Sequence, residues 1–193
     1  LHPILHSFPT RRSSDLEARV HPVMIPKNHI LANVHEAFNA IFLEGDFVGP
    51  TLYYGLGAGR KPTGSAVASD IISLARDMVM EKRGMVPPLG HVKPPEKAVS
   101  IQPMDELVTS YYFRVSALDT PGVLSTISGI LAQNGISISS VIQKGRDAKG
   151  SVPIVMLTHE ARESQAQKAI QLIDHLDVVT DKTVVIRVEG NHI

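Results

Sequence analysis

The stretch YYFRVSALDTPGVLSTISGILAQNGISI, residues 111–138, decides the fold of the C-terminal part of this chain. Residues 111–118 combine aromatic and β-branched side chains and predict a strand. A turn leads from it into a helix, with Asp119 or Thr120 as the cap. Apolar side chains then recur at helical spacing, and Asn134-Gly135 is typical of a left-handed helix end. The stretch therefore predicts a strand, a helix and the start of a second strand.

The pattern continues to the end of the chain. Two strands, a helix and a last strand are predicted at residues 136–143, 151–158, 160–176 and 182–188. The order βαββαβ is that of the ferredoxin-like split unit, and the predicted fold class is α+β. A unit of about 80 residues buries only a modest core, so we expect it to pair with a second copy.

A hairpin is predicted in the N-terminal part. Residues 21–25 predict a short strand that ends at a proline. Residues 37–44 and 47–54 are two apolar runs around Gly45-Asp46, which is typical of a tight β-turn.

A glycine-rich loop and a linker follow this hairpin. The loop, residues 55–59, reads GLGAG and precedes a helix predicted over residues 65–82. Residues 84–103 hold five prolines and show no regular period. We therefore expect an incomplete α/β fragment at residues 21–83, a proline-rich linker at 84–109 and the βαββαβ domain at 110–190.

Composition excludes several classes of protein. The 193 residues include 19 basic and 19 acidic side chains, so no long-range attraction for nucleic acid or an anionic membrane is expected. The absence of Cys excludes disulfides, thiolate nucleophiles and Cys-ligated zinc. Of the nine His, only His2 and His6 are spaced i, i+4, and no metal site is expected.

The first twenty residues differ from the rest of the chain. Residues 6–16, HSFPTRRSSDL, resemble the translation of a sequencing-adapter oligonucleotide. A transit peptide and a disordered arm are the alternatives, although Asp15 and Glu17 count against a transit peptide. We predict that residues 1–20 are an artefact or a disordered arm and that the natural protein extends further upstream.

The glycine-rich loop is a candidate anion site. Its backbone N–H groups stand at the start of a helix, where phosphates and carboxylates bind. The spacing matches neither the P-loop nor the dinucleotide fingerprint. From spacing alone, a tight strand-to-helix turn with no ligand remains the alternative.

Two longer motifs carry a resemblance. YGLGAGRKPTGSAVASDI, residues 54–71, resembles the closing motif of the homoserine dehydrogenase catalytic domain, and residues 21–46 are similar to the segment before it. In that family this loop contacts the nicotinamide cofactor, NAD or NADP. The resemblance implies cofactor contacts at Gly57, Ala58, Gly59 and Thr63, with Gly59 foremost.

Residues 110–189 resemble the ACT regulatory domain, through DTPGVL at 119–124 and NGISI at 134–138. The resemblance implies a small amino-acid effector, expected to be threonine, bound where the strand-to-helix loop meets a neighbouring copy. A helix N-terminus attracts a carboxylate, and Asp119 or Asn134 can accept an ammonium. The implied effector residues are Asp119, Gly122, Val123, Leu124, Asn134 and Ile136. The alternative is that Asp119 only caps the helix and Asn134 only ends it.

Together the resemblances imply part of a cytoplasmic NAD(P)-dependent homoserine dehydrogenase, which interconverts L-aspartate 4-semialdehyde and L-homoserine on the route to threonine and methionine. The family's catalytic residues are expected upstream of this chain, so no catalytic residue is named. We expect the chain alone to be inactive. The alternative is a stand-alone ACT-type amino-acid-binding module without catalytic activity.

Overall fold

A computed structural model of the chain describes residues 4–6, 15–80, 100–143, 145 and 150–189. The chain divides into two compact units. Residues 1–26 and 99–193 form the first unit, and residues 27–98 form the second.

The strands in chain order are β1 (Ile4–His6), β2 (Asp15–Leu16), β3 (Arg19–His21), β4 (Val23–Met24), β5 (Phe38–Gly45), β6 (Gly49–Leu56), β7 (Ser100–Ile101), β8 (Val108–Leu118), β9 (Ile138–Gln143), β10 (Ser151–Thr158), β11 (Ala161–Arg162) and β12 (Val184–Val188). The helices are α1 (Arg60–Val79), α2 (Val123–Gln133) and α3 (Glu163–Asp174).

The first unit is built on one sheet with the strand order β4-β12-β8-β10-β9. β8 lies between β10 and β12 and is antiparallel to both. β9 pairs with β10 and forms one end of the sheet. Leaving β4 aside, the chain order β8-α2-β9-β10-α3-β12 confirms the predicted βαββαβ unit.

The core of this unit lies between the sheet and its two helices. β8 turns alternate side chains inward, as a strand with one covered face must. Tyr111, Phe113 and Val115 are fully buried there, against Ile127 and Leu131 of α2. The alternating apolar side chains predicted for β8 and the apolar stripe predicted for α2 therefore face each other in one apolar core.

Residues before the second unit add to this sheet. β4 pairs in parallel with β12 in this sheet, whereas β1 and β3 form a separate two-stranded sheet. Arg19 is buried, at 7% exposure. The N-terminal arm predicted over residues 1–20 therefore does not describe Arg19, because its guanidinium is held by two carboxylates of the fold.

The second unit contains a hairpin and a helix. β5 and β6 pair along their whole length, and Phe38 stacks on Tyr54 with ring centroids 4.8 Å apart. Phe47 was predicted to start a strand but lies in the turn, fully exposed. The turn therefore takes three residues, 46–48, rather than the predicted Gly45-Asp46 pair.

Several predicted element bounds differ from the structure. α1 begins at Arg60 rather than residue 65, and α3 at Glu163 rather than residue 160, because β11 first pairs with β8. Leu107, placed in the predicted linker, is buried in the core at 1% exposure. The predicted linker falls mostly on residues 81–99, outside the described residues. The four predicted domain ranges stay a prediction.

Candidate functional site

A cleft opens at the junction of β8 and α2. Residues 118–125 form one wall, and Gln143, Val152 and Ile154 form the other. The cavity has a volume of about 420 Å³. Its wall therefore combines the loop that carries Asp119 with the ends of β9 and β10.

Gly122 shapes the entrance to α2. It is the residue before the helix and has a φ of +93°, in the left-handed region that favours glycine. The predicted cap, Asp119 or Thr120, is therefore wrong, because the helix begins at Val123 and no side chain caps it. The first-turn N–H groups of a helix have no acceptor within the helix. The cleft is therefore lined by the amino end of α2, where a carboxylate is favoured.

Four of the predicted effector residues meet in this cleft: Asp119, Gly122, Val123 and Leu124. Asn134 does not join them, because it follows the other end of α2, where its side-chain amide donates to Ile130 O at 2.8 Å. Ile136 is a core side chain at 3% exposure. The predicted effector residues therefore lie at opposite ends of α2.

Gln143 is a cleft residue that the sequence analysis missed. It ends β9 and lines the cavity together with Asp119. Its amide can donate to a carboxylate and accept from an ammonium or hydroxyl group. The sequence signal was weak, since a polar residue at the end of a strand is common, and only the sheet order brings this end beside the loop.

A second, more open cleft lies beside the end of α2. Asn134 and Gly135 line it with Ser164, Gln165 and Lys168 of α3. Asn134 is thus near an opening, but not near Asp119. The predicted effector site is therefore centred on the first cleft.

A buried carboxylate ties α3 to the sheet. Glu163 is 3% exposed and accepts hydrogen bonds from the Tyr111 hydroxyl at 2.8 Å, from Arg187 Nε at 2.8 Å and from Gln167 Nε2 at 2.7 Å. Burial opposes its charge, but these donors outweigh burial and hold the pKa of Glu163 below its ordinary value. Burial, aided by the Glu163 contact, raises the pKa of Tyr111. This cluster is saturated by partners within the fold, so it is a structural feature rather than a binding site.

The glycine-rich loop joins β6 to α1. Gly57 N–H donates to Ala37 O at 3.0 Å, and Thr63 N–H donates to Gly59 O at 3.1 Å. A Cβ at Gly57 would lie 1.6 Å from the Asn39 amide, and Gly59 has a φ of +127°. Gly59 is therefore required by its backbone conformation, whereas a side chain at Gly57 would have to displace the Asn39 amide. Gly57, Ala58, Gly59 and Thr63 are all exposed and lie within one strand-to-helix turn.

The described ranges hold neither a metal-binding cluster nor a membrane-spanning helix. No cluster of three or more His, Asp or Glu side chains that could hold a metal ion is found there. None of the helices in the same ranges is long and apolar enough to cross a membrane.

The class of protein follows from comparison with known families. Residues 5–72 match the homoserine dehydrogenase family, and residues 111–177 match the ACT domain. The chain therefore holds a homoserine dehydrogenase segment followed by an ACT domain. The first match also runs across residues 6–16, whose assignment as adapter-derived sequence stays a prediction.

Particular relatives bear the same name. The chain is 45% identical to a homoserine dehydrogenase of Neisseria gonorrhoeae and 39% identical to one of Pseudomonas aeruginosa, over 92% and 93% of its own length. A solved homoserine dehydrogenase of Thiobacillus denitrificans is 41% identical over 93% of this chain, with a TM-score of 0.75. The chain spans only 40–42% of the length of these relatives.

Proposed function

We propose that this chain is part of an NAD(P)-dependent homoserine dehydrogenase, which interconverts L-aspartate 4-semialdehyde and L-homoserine in threonine and methionine biosynthesis in the cytoplasm. The observation that carries the proposal is 45% identity to such an enzyme over 92% of the chain. A match that runs through both units favours an enzyme with a regulatory domain over a stand-alone ACT module, since residues 5–72 have no counterpart in a pure sensor.

The glycine-rich loop fits contact with a dinucleotide. Its residues are small and exposed, and they stand at the amino end of a 20-residue helix, α1. Gly57, Ala58, Gly59 and Thr63 would hold NAD or NADP. The cofactor, when bound, supplies the hydride. The loop would supply backbone N–H groups, and its small residues would let the cofactor approach the backbone closely.

The cleft at the amino end of α2 is assigned to the effector. A free amino acid carries one carboxylate and one ammonium, and the cleft offers a complement for each. The first turn of α2 favours the carboxylate. Asp119 and Gln143 line the same cavity and can accept from the ammonium. Threonine adds a hydroxyl and a methyl group, which suit Gln143 and the apolar wall of Val152 and Ile154.

A calorimetric titration of the purified chain with L-threonine tests the effector assignment, with L-methionine as the control ligand. We expect saturable binding of threonine that Asp119→Ala weakens by about 10- to 100-fold, the loss of one hydrogen bond to a charged group. Asp105→Ala is the matched control, since Asp105 is exposed, carries the same charge and lies outside the cleft. Equal weakening by both variants, or no threonine binding, contradicts the assignment.

We assign catalysis to residues in the part of the relatives that this chain does not span. We therefore expect no NADPH-dependent reduction of aspartate semialdehyde by the chain alone, measured by absorbance at saturating substrate. Turnover by the purified chain would contradict the assignment of catalysis to the part of the relatives outside the match.

A further inference from the structure

The strand before the second unit is weakly held by its backbone. β4 pairs with β12 at only two positions, Arg187↔Val23 and Val188↔Met24. One more backbone bond follows, in which Glu189 N–H donates to Met24 O at 2.9 Å. A ladder this short at a sheet edge is at the low-stability end of a fold. The chain enters the second unit at Lys27, directly after this strand.

Ion pairs of Arg19, the first residue of β3, add to these backbone bonds. Arg19 Nε lies 2.6 Å from Glu17 Oε1, and Arg19 Nη2 lies 2.7 Å from Glu189 Oε1. The Arg19 side chain is 4% exposed and each carboxylate 13%. Without the guanidinium, two partly buried carboxylates would face each other with only Arg187 left to act on Glu189, and this arrangement opposes docking of the strand. We call Glu17, Arg19 and Glu189 the edge cluster.

The edge cluster and the effector cleft are joined through β8 and β12. The cleft lies at the carboxyl end of β8, and β12 pairs with the same strand from Ser110 to Arg114. The segment that enters β12 is bonded to the cleft end of β8, because Leu118 N–H donates to Val178 O at 2.8 Å and Thr180 N–H donates to Ser116 O at 2.9 Å. A backbone displacement at residue 118 would therefore pass to residues 178–180, the segment that leads into β12.

We propose that residues 19–24, which hold β3 and the edge strand β4, form a two-state segment fastened by the edge cluster, and that docking of β4 carries occupation of the effector cleft to the segment beginning at Lys27. This inference rests on the proposed effector function. The covalent connection from β4 to the second unit at Lys27 is short. The other connection between the units is the proline-rich stretch. Arg19 is thus a positioning residue for regulation, and it touches neither ligand.

Thermodynamic linkage makes the proposal quantitative. If the ligand binds better when the strand is docked, the factor by which it stabilises docking equals the factor by which docking raises ligand affinity. Coupling factors of this kind are typically about 5- to 150-fold. Both factors can be measured on the same chain.

The test uses the Glu189 amide as a reporter, because its hydrogen bond to Met24 O exists only when the strand is docked. Its hydrogen exchange is followed by NMR on the full chain, with and without L-threonine, and threonine affinity is measured by calorimetry. We expect threonine to slow this exchange at least about 5-fold. Arg19→Met is expected to speed the exchange and, once undocked chains are populated, to weaken threonine binding by no more than the coupling factor, while Arg19→Lys restores part of both.

Arg114→Met is the matched control. Arg114 is an exposed residue of β8 in the same sheet, and its replacement removes the same charge outside the edge cluster. It should change neither the Glu189 exchange nor the affinity.

Each outcome decides a separate point. Threonine binding with unchanged Glu189 exchange overturns the coupling and leaves the effector site intact. Unchanged exchange in Arg19→Met overturns the fastening. If threonine does not bind at all, the effector function and the transmission both fail, and the comparison of Arg19→Met with Arg114→Met still decides whether the cluster holds the strand.

Discussion

Glu163 shows how much of the ACT unit depends on single polar side chains. It is the first residue of α3 and is buried against Tyr111 of β8 and Arg187 of β12. A carboxylate is favoured at this end of a helix. One side chain thus connects a helix to two strands.

Replacing Glu163 by Gln is therefore expected to destabilise the first unit by about 3 kcal/mol, because it leaves the Arg187 charge without its partner. The low end of the usual range applies, since the Arg187 side chain keeps 19% exposure. Urea unfolding followed by circular dichroism measures the change. Glu106→Gln, at an exposed position, is the control and should stay within about 0.5 kcal/mol of the parent chain. A similar loss in both variants would count against the buried cluster.

His21 is expected to make stability depend on pH. Burial lowers the pKa of His21 from its ordinary 6.5, and the nearby Arg187 and Arg19 act in the same direction. A group with a lowered pKa in the folded state binds protons more readily when unfolded, so folding weakens as pH falls below about 6.5.

Urea unfolding between about pH 7 and pH 5 tests this. The parent chain should lose stability toward pH 5, and His21→Gln should lose less. His35→Gln, at an exposed position, should keep the parent slope. Identical slopes in all three proteins would remove His21 as the cause.

At the scale of elements, the start of α2 decides the shape of the cleft. Gly122 holds a left-handed conformation before the helix, whereas Gly129 lies within α2 in ordinary helical geometry. Neither position has an atom within 4 Å of an added Cβ, so space does not distinguish them. Only the backbone conformation distinguishes the two glycine positions.

Alanine should therefore act with opposite signs at the two positions. Gly122→Ala is expected to destabilise the unit by about 1–2 kcal/mol, the cost of a side chain in the left-handed region. Gly129→Ala should stabilise it by up to about 1 kcal/mol through helix propensity. Thermal unfolding gives both values. Equal signs would show that the turn at residue 122 relaxes to another conformation.

At the scale of the whole molecule, the two units differ in burial. The first unit has an apolar core, whereas every described residue of α1 except Pro62 and Asp77 is exposed. Val67, Ile71, Leu74 and Met78 follow one another at helical spacing and are 54–80% exposed. An apolar stripe of this kind is typical of a helix that packs against further protein.

In the part of the chain that the structure describes, β9 pairs on one side only, with β10, and this edge gives a prediction about assembly. β4 covers the other end of the sheet, whereas β9 ends it on this side, with Val141 and Ile142 39% and 47% exposed. An ACT domain of this size favours pairing with a second copy. We expect a dimer through β9, which Ile142→Lys should weaken at least about tenfold, since a charge on a buried edge opposes pairing.

Analytical ultracentrifugation across a concentration series measures this equilibrium. Gln171→Lys, an exposed position on α3, adds the same charge away from the edge and should leave it unchanged. Dissociation by Gln171→Lys, or dimers that survive Ile142→Lys, would place the contact elsewhere.

The sequence by itself determined the βαββαβ order, the hairpin and the glycine-rich turn, because period, turn residues and helix ends are local properties. Residues 151–158 form a strand with the predicted bounds, since their apolar run is buried on a central strand. The two family matches agree with the resemblances carried by residues 54–71 and 119–138.

The tertiary structure alone decided which distant residues meet. It set Gln143 beside Asp119 and placed Arg19 between Glu17 and Glu189. Each of these depends on strand order and on the path of the chain between elements. Sequence periodicity fixes which face of an element is apolar, but it does not determine which strand lies next to which.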